Sequence, residues 1–197
     1  AKGNFLETKE EILAYLTSSQ RPIAELVVHH TDTYENQNWN VDDIENWHVS
    51  RGFSEIGYHF LILREGGKLQ VARNVSKQGA HAKEGGHNEN SIGISFVGGI
   101  IGHSSKKGKV RSSSTFTSPQ WKTFDLFVEA FLQVYPKCNV VGHNVTDPSH
   151  RTDPEFDVAT YVRERFAHEN EDETPTPALS APQELADEDL DTTDEDV

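Results

Sequence analysis

The sequence has little that could staple the fold covalently or place it in a membrane. A single cysteine, Cys138, among 197 residues excludes an intramolecular disulfide. No apolar run approaches the roughly 18 residues that a membrane-spanning helix needs. The chain opens with Ala-Lys-Gly-Asn, without the basic and then apolar stretches of a signal peptide. We therefore expect a soluble product of the cytoplasm, which another agent must release if it acts beyond the membrane.

Basic residues are missing from the end of the chain. Residues 168–197 contain twelve Asp or Glu, no Lys or Arg, and three of the eight prolines. This segment carries −12 of the formal net charge of −14, which leaves −2 for residues 1–167. Because its few apolar residues cannot offset the entropy cost of ordering, the composition predicts a disordered acidic tail. The sequence leaves open whether the tail is a solvated spacer or a segment that docks on a basic partner.

Hydrophobic periodicity and capping residues predict alternating helices and strands. Thr8 and Glu11 have the spacing of a capping box before a short N-terminal helix. Asp153 and Pro154 are predicted to open the last helix. The other predicted elements are strands over residues 24–30, 92–97 and 139–142, a hairpin of residues 58–63 and 69–72, a helix after Asn40 and a long helix from Ser118.

The mixed order of these elements predicts an α/β fold, in which helices flank a mixed central β-sheet without an internal repeat. We predict three regions along the chain. Residues 1–21 form an N-terminal helical extension, residues 22–167 form one catalytic domain, and residues 168–197 form the acidic disordered tail.

Three residues at the ends of predicted elements are candidate metal ligands. His29 closes the apolar run Leu26-Val27-Val28, His143 follows another predicted strand, and Asp153 comes ten residues later. Side chains at such positions often converge on a cleft. Two imidazoles and a carboxylate are a normal set for catalytic zinc and leave a fourth position for a reactive water, which indicates a hydrolase. The structural alternatives are a hydrogen-bonded core histidine at position 29 and a helix-capping aspartate at position 153.

Short segments spread through the chain carry a resemblance to a known family. They are Val27-Val28-His29-His30-Thr31, Trp47-His48 with Arg51-Gly52-Phe53, Ile56-Gly57-Tyr58-His59-Phe60, Gly79-Ala80-His81-Ala82, Asn90-Ser91-Ile92-Gly93-Ile94, Gly142-His143 and Thr152-Asp153-Pro154. In order and spacing they resemble the zinc-dependent N-acetylmuramoyl-L-alanine amidases of the type 2 class, which include phage lysis amidases and peptidoglycan recognition proteins. The resemblance runs from about residue 22 to residue 166 and implies the fold of that class.

The resemblance implies one Zn²⁺ ion per chain, held by His29, His143 and Asp153. Many phage members have cysteine at the third position, whereas the bacterial recycling amidases have aspartate there, as this chain does. A carboxylate is a harder ligand than a thiolate, but both occur in normal zinc sites.

Four further side chains acquire roles from the same resemblance. Tyr58 matches the tyrosine that lies beside the metal and would orient the water or share the oxyanion. Arg151 stands where the family usually has lysine and would stabilise the oxyanion. Because the pKa of arginine lies above about 12, the leaving amine must take its proton from another group or from the water. His81 and Asn90 are predicted to contact substrate, and a structural role for His81 is the alternative.

The implied reaction is hydrolysis of the amide between the lactyl group of N-acetylmuramic acid and L-alanine of the stem peptide. A phage endolysin in host lysis is the favoured setting. The alternatives are a cytosolic amidase that recycles muropeptides, a component of the virion, a module that only binds peptidoglycan, and an amidase that also inhibits the phage RNA polymerase.

The expected partners follow from this setting. We expect a monomer that binds peptidoglycan or muropeptides, is made in the cytoplasm of the host cell, and reaches periplasmic peptidoglycan after release by a holin. We expect no membrane insertion. We also expect no nucleic-acid partner, because the basic residues Lys106, Lys107, Lys109 and Arg111 fall in a Gly/Ser-rich segment that is typical of a solvated loop.

Overall fold

A mixed β-sheet forms the centre of the molecule. The computed structural model describes residues 1–103, 108–150 and 152–166. The strands in these ranges are β1 (Phe5–Leu6), β2 (Glu25–His30), β3 (Thr33–Tyr34), β4 (Phe60–Ile62), β5 (Leu69–Val71), β6 (Ser91–Phe96), β7 (Gly99–Ile100) and β8 (Asn139–Gly142). Within the same ranges the main sheet has the order β1-β5-β4-β6-β2-β8, and β3 pairs with β7 separately.

The central strands of the main sheet are parallel. β2 lies between β6 and β8 and is parallel to both, while β5 is antiparallel to β4 and to β1. Every residue of β2 is buried, as expected for a parallel strand covered on both faces. The predicted mixed sheet flanked by helices is therefore confirmed, whereas the predicted acidic tail lies outside the described residues.

Side-chain caps fix the starts of the main helices. The helices in the described ranges are α1 (Lys9–Thr17), α2 (Val41–Ser50), α3 (Ser118–Val134), α4 (His143–Thr146) and α5 (Val158–Phe166). Thr8 accepts a hydrogen bond from the amide of Glu11, and Asn40 forms a capping box with Asp43. Thr117 caps α3, with Pro119 in the first turn. None of these helices combines the length and the apolar character that crossing a membrane requires.

The two faces of the main sheet pack against different helices. Leu26 and Val28 of β2 lie in a large apolar core that also contains buried residues of α1, α3 and α5. A smaller cluster joins Val41 and Ile44 of α2 to Leu61 on the other face. Successive residues of a strand alternate between faces. His29 therefore lies on the face opposite the large core.

The N-terminal segment contributes to the same core. β1 pairs with β5, and α1 packs on α3 with Ile12 and Leu16 fully buried. Residues 1–21, predicted as a helical extension, thus supply an edge strand of the sheet as well as a helix.

The last helix begins later than predicted. α5 starts at Val158, and the carboxylate of Asp157 accepts a hydrogen bond from the amide of Thr160. Glu155 has a φ of +73°, a left-handed conformation that a right-handed helix cannot contain. The interpretation of Asp153 as the N-cap of this helix is therefore wrong, and its carboxylate belongs to the preceding loop.

Candidate metal centre

His29, His143 and Asp153 converge at the carboxyl edge of the sheet. One ligand atom from each of the three residues lies within 4.8 Å of the others. The imidazole rings of His29 and His143 have centroids 4.5 Å apart, and both residues are buried. The Asp153 side chain is 18% exposed, which leaves the cluster open on the side of that carboxylate.

Strand register explains why the two histidines meet. Val28 of β2 is paired with Gly142 of β8 in parallel register. The next residues, His29 within β2 and His143 at the start of α4, therefore lie side by side. A Cβ at Gly142 would lie 3.1 Å from Cδ of Pro154. The glycine at position 142 therefore makes room for the loop that carries Asp153 to pack on the end of β8.

Three hydrogen bonds position Asp153. Its Oδ1 accepts from the backbone amide of His30 at 2.8 Å, and its Oδ2 lies 3.1 Å from Nδ1 of His143. Its backbone carbonyl accepts from the amide of Asn144 at 2.7 Å. Burial by itself would raise the pKa of the Asp153 carboxyl, but the nearby His30 and the hydrogen bonds hold that pKa below its ordinary value. The group is therefore a carboxylate, the form that binds a metal.

The donor set fits a catalytic zinc ion. Two imidazole nitrogens and a carboxylate oxygen are ligands that zinc accepts in three-residue sites. The three groups are already gathered in one place, and the carboxylate is charged.

His81 contacts one of the three candidate ligands, His29. Its Nδ1 lies 2.8 Å from Nε2 of His29, and its Nε2 lies 3.1 Å from Oγ of Ser91. Burial lowers the pKa of His81 well below its ordinary value, and the neighbouring His59 and His143 lower it further, so the ring is neutral. The ring lies against β6, where a Cβ at Gly93 would be 2.7 Å from Cγ of His81. The structure thus places His81 behind a candidate ligand.

The other predicted site residues have different positions. The ring of Tyr58 lies beside His29, with centroids 5.2 Å apart. Asn90 precedes β6 at the amino end of the strand, where its exposed side chain stands away from the carboxyl edge and its carbonyl accepts a hydrogen bond from the amide of Ala24. The structure does not bring Asn90 to the cluster, and its substrate contact stays a prediction. Arg151 lies outside the described residues.

Several supporting residues were not found by sequence reasoning. Oδ1 of Asn88 accepts hydrogen bonds from the amides of His81 and Ala82, and so fixes the segment that carries His81. Nε2 of His30 lies 3.0 Å from Oε1 of Glu155, which joins the end of β2 to the loop of Asp153. In the sequence, these residues are marked only by their short separation from the predicted site residues His29, His81 and Asp153.

The arrangement is that of a candidate metal-dependent hydrolase: three ligands at the edge of a buried sheet with one side open. Sequence comparison makes the assignment more specific. The chain belongs to the N-acetylmuramoyl-L-alanine amidase family, whose profile matches residues 19–156.

Individual relatives agree with this family. The chain is 34% identical over 133 residues to the endolysin of Escherichia phage T7, an alignment that covers 68% of this chain and 81% of that protein. The Ph2119 endolysin of a Thermus scotoductus bacteriophage has a similar structure, with a TM-score of 0.55, 25% identity, and coverage of 73% of this chain and 84% of that one. Peptidoglycan recognition protein LE, solved with tracheal cytotoxin, shares the fold at a TM-score of 0.55, 21% identity, and coverage of 74% and 82%.

Proposed function

We propose that this protein is a zinc-dependent amidase that cleaves the bond between the lactyl group of N-acetylmuramic acid and L-alanine in peptidoglycan. The observation that carries the proposal is the convergence of His29, His143 and Asp153 within 4.8 Å at an open edge of the sheet. Membership of the amidase family supports the reaction.

His29, His143 and Asp153 would hold the metal. A bound zinc ion supplies a water of lowered pKa, near 7, and polarises the scissile carbonyl. The His30 amide orients the Asp153 carboxylate, and His81 contacts the far nitrogen of the His29 ring. Such contacts fix the ring and carboxylate orientations before substrate arrives.

Tyr58 would act on the reacting groups, the role that the family resemblance implies for it. Its ring is buried beside His29, which supports a role in which its hydroxyl would orient the attacking water or donate to the oxyanion. Arg151, which precedes Asp153 by two residues, would add positive charge for the oxyanion. Because its guanidinium keeps its proton near neutral pH, it would not protonate the leaving amine.

Host lysis by a phage is the setting that the relatives favour. Several phage proteins similar to this chain are named endolysins, among them those of Enterobacteria phage K11 and Escherichia phage T7. We propose that this chain likewise cleaves polymeric peptidoglycan after release from the cytoplasm. Parallel digestion of intact sacculi and of soluble anhydro-muropeptides tests this choice, because a recycling enzyme would prefer the soluble substrate.

Metal analysis combined with an end-group assay tests the reaction itself. We expect one zinc per chain in the wild type and new L-alanine amino termini when it digests purified peptidoglycan. His143→Ala should lose both the zinc and the activity, whereas His103→Ala, which removes an exposed histidine, should keep both. Full activity of His143→Ala would show that the proposed ligand set is wrong.

A further inference from the structure

Glu155 is a partly buried acid that the proposed chemistry does not use. It follows Asp153 by two residues, and its side chain is only 9% exposed. Its Oε1 lies 2.8 Å from Oγ1 of Thr152 and 3.0 Å from Nε2 of His30. The positive φ of Glu155 turns the chain at this point, so the carboxylate reaches back to the strand end and also to the residue just before Asp153.

His30 contacts this loop at two points. Its backbone amide donates to Oδ1 of Asp153 at 2.8 Å. Its ring Nδ1 accepts from the amide of Asp32 at 2.9 Å, which leaves the proton on Nε2 to be donated to Glu155. One residue at the end of β2 therefore binds Asp153 through the backbone and Glu155 through the side chain.

The ring of His30 is held firmly in this position. It is buried, and a Cβ at Gly99 would lie 2.8 Å from its Nδ1. The glycine lets β7 pack directly on the imidazole. A fixed donor on the sheet thus meets an acceptor on the segment between α4 and α5, in which the described residues include the short 3₁₀ helix Pro148–His150.

We propose that Glu155 is a positioning residue, which clamps the loop of Asp153 to the end of β2 through His30 and Thr152 and so presets the third metal ligand. This inference rests on the proposed zinc site. Glu155 is not one of the three candidate ligands, and it acts through the place that it gives to Asp153. Loss of a residue that orients a metal ligand typically lowers metal affinity by about 10- to 100-fold. Because Glu155 acts on Asp153 through His30 and Thr152, the effect of its loss should lie near the lower limit of this range.

Zinc affinity of purified variants, measured by competition with a chromophoric chelator, tests the inference. Glu155→Ala removes the acceptor and should weaken zinc binding by about 10-fold. Glu155→Gln keeps an oxygen that can accept from both Nε2 of His30 and the Thr152 hydroxyl, and it should bind zinc nearly as tightly as the wild type. Glu129→Ala is the matched control, because it removes an acid that pairs with Lys9 between two helices, and it should not change the affinity.

A second readout separates positioning from general stability. The melting temperatures of the metal-free Glu155→Ala and Glu155→Gln proteins should differ much less than their zinc affinities, and excess zinc should restore the activity of Glu155→Ala. If Glu155→Ala does not fold, Glu155→Gly takes its place, since glycine adopts the positive φ of this position without strain.

The outcomes distinguish the inference from the function on which it rests. Wild-type affinity in Glu155→Ala, or equal weakening in Glu155→Gln and Glu155→Ala, would overturn the positioning role and leave the amidase proposal intact. A wild-type protein that binds no zinc would overturn the proposed function, and the inference with it.

Discussion

The two faces of β6 differ although both are buried. Ile92 and Ile94 pack in the core with α1 and α3, and Phe96 completes that row. On the other face, Ser91 bonds to His81 and Gly93 makes room for its ring. One face thus carries bulky apolar side chains, and the other carries small residues under a layer of histidines.

This difference separates two physical tasks. Apolar burial stabilises a fold in proportion to the area removed from water and makes no directional demand. Buried polar rings need partners at fixed angles, because an unsatisfied polar group in the interior costs free energy. Since strand residues alternate between faces, a single strand can serve both tasks, and variants on the two faces should fail in different ways.

A large core residue should give the largest loss of stability. Phe127→Ala empties a fully buried position of α3 that packs on Phe60, and the free energy of unfolding should fall by about 3–5 kcal/mol. Chemical denaturation measures the loss. Phe5→Ala is the control, since Phe5 is 40% exposed and its change should stay near 0.5 kcal/mol. Zinc affinity of the folded fraction should not change, and a parallel loss of affinity would mean that the two faces are not separate.

A glycine on the site face should affect the metal centre more than the fold. Gly93→Ala would place a Cβ 2.7 Å from the His81 ring, so the ring must move and should disturb its 2.8 Å contact with His29. Zinc affinity should fall by roughly 10- to 100-fold, the range for lost partners of metal ligands. Ser91→Ala removes only the contact at the far nitrogen of His81 and should have the smaller effect. Equal effects of the two variants would contradict the steric argument.

The position of the candidate ligands could be predicted because parallel strands end at the same edge. His29 and His143 each follow an apolar run, and neighbouring parallel strands bring such ends together. The capped starts of α1 and α2 were predictable for a similar reason, since Thr8 and Asn40 act on amides three residues away.

The loop after α4 could not be predicted in the same way. An Asp-Pro pair is typical of a helix start, but the positive φ of Glu155 delays α5 to Val158. The contact between Glu155 and His30 joins residues 125 positions apart, and no local pattern encodes it. The sequence indicates which residues can bind a metal, whereas the hydrogen bonds that position these residues depend on the tertiary fold.

A buried histidine should make stability depend on pH. Burial lowers the pKa of His59 from 6.5 to about 3 in the folded protein. Because the unfolded chain binds the proton more tightly, the free energy of unfolding should fall as pH decreases from 6.5 toward 3, by at most about 1.4 kcal/mol per pH unit for this one group.

The matched variant is His59→Gln, whose amide can accept from the Gly93 amide and donate to the Lys77 carbonyl, as the imidazole does. Denaturation of the metal-free proteins between pH 4 and pH 6.5 gives the free energy of unfolding at each pH. The linkage relation converts its slope against pH into protons bound on unfolding, and this number should be smaller by about one in the variant. Identical slopes would mean that His59 does not titrate as its burial requires.

The ion pair between Arg111 and Asp32 should give the smallest effect. Nε and Nη2 of Arg111 lie 2.6 and 2.9 Å from the two carboxylate oxygens of Asp32, but the side chains are 38% and 35% exposed. Water and salt screen such a pair, so Arg111→Ala should lower the free energy of unfolding by less than about 1 kcal/mol. The loss should shrink further in high salt, because exposed charges are screened over a Debye length.

This pair is the exposed counterpart of the contact between Glu155 and His30, since Asp32 also bonds to the His30 ring through its amide. Measurements of zinc affinity distinguish the roles of these two contacts. Arg111→Ala leaves the Asp32 amide in place, so the His30 ring keeps its orientation and the affinity should stay at the wild-type value. A loss of zinc affinity as large as that of Glu155→Ala would mean that the contacts supporting Asp153 extend to the protein surface. Burial alone would then not decide which contacts position this metal ligand.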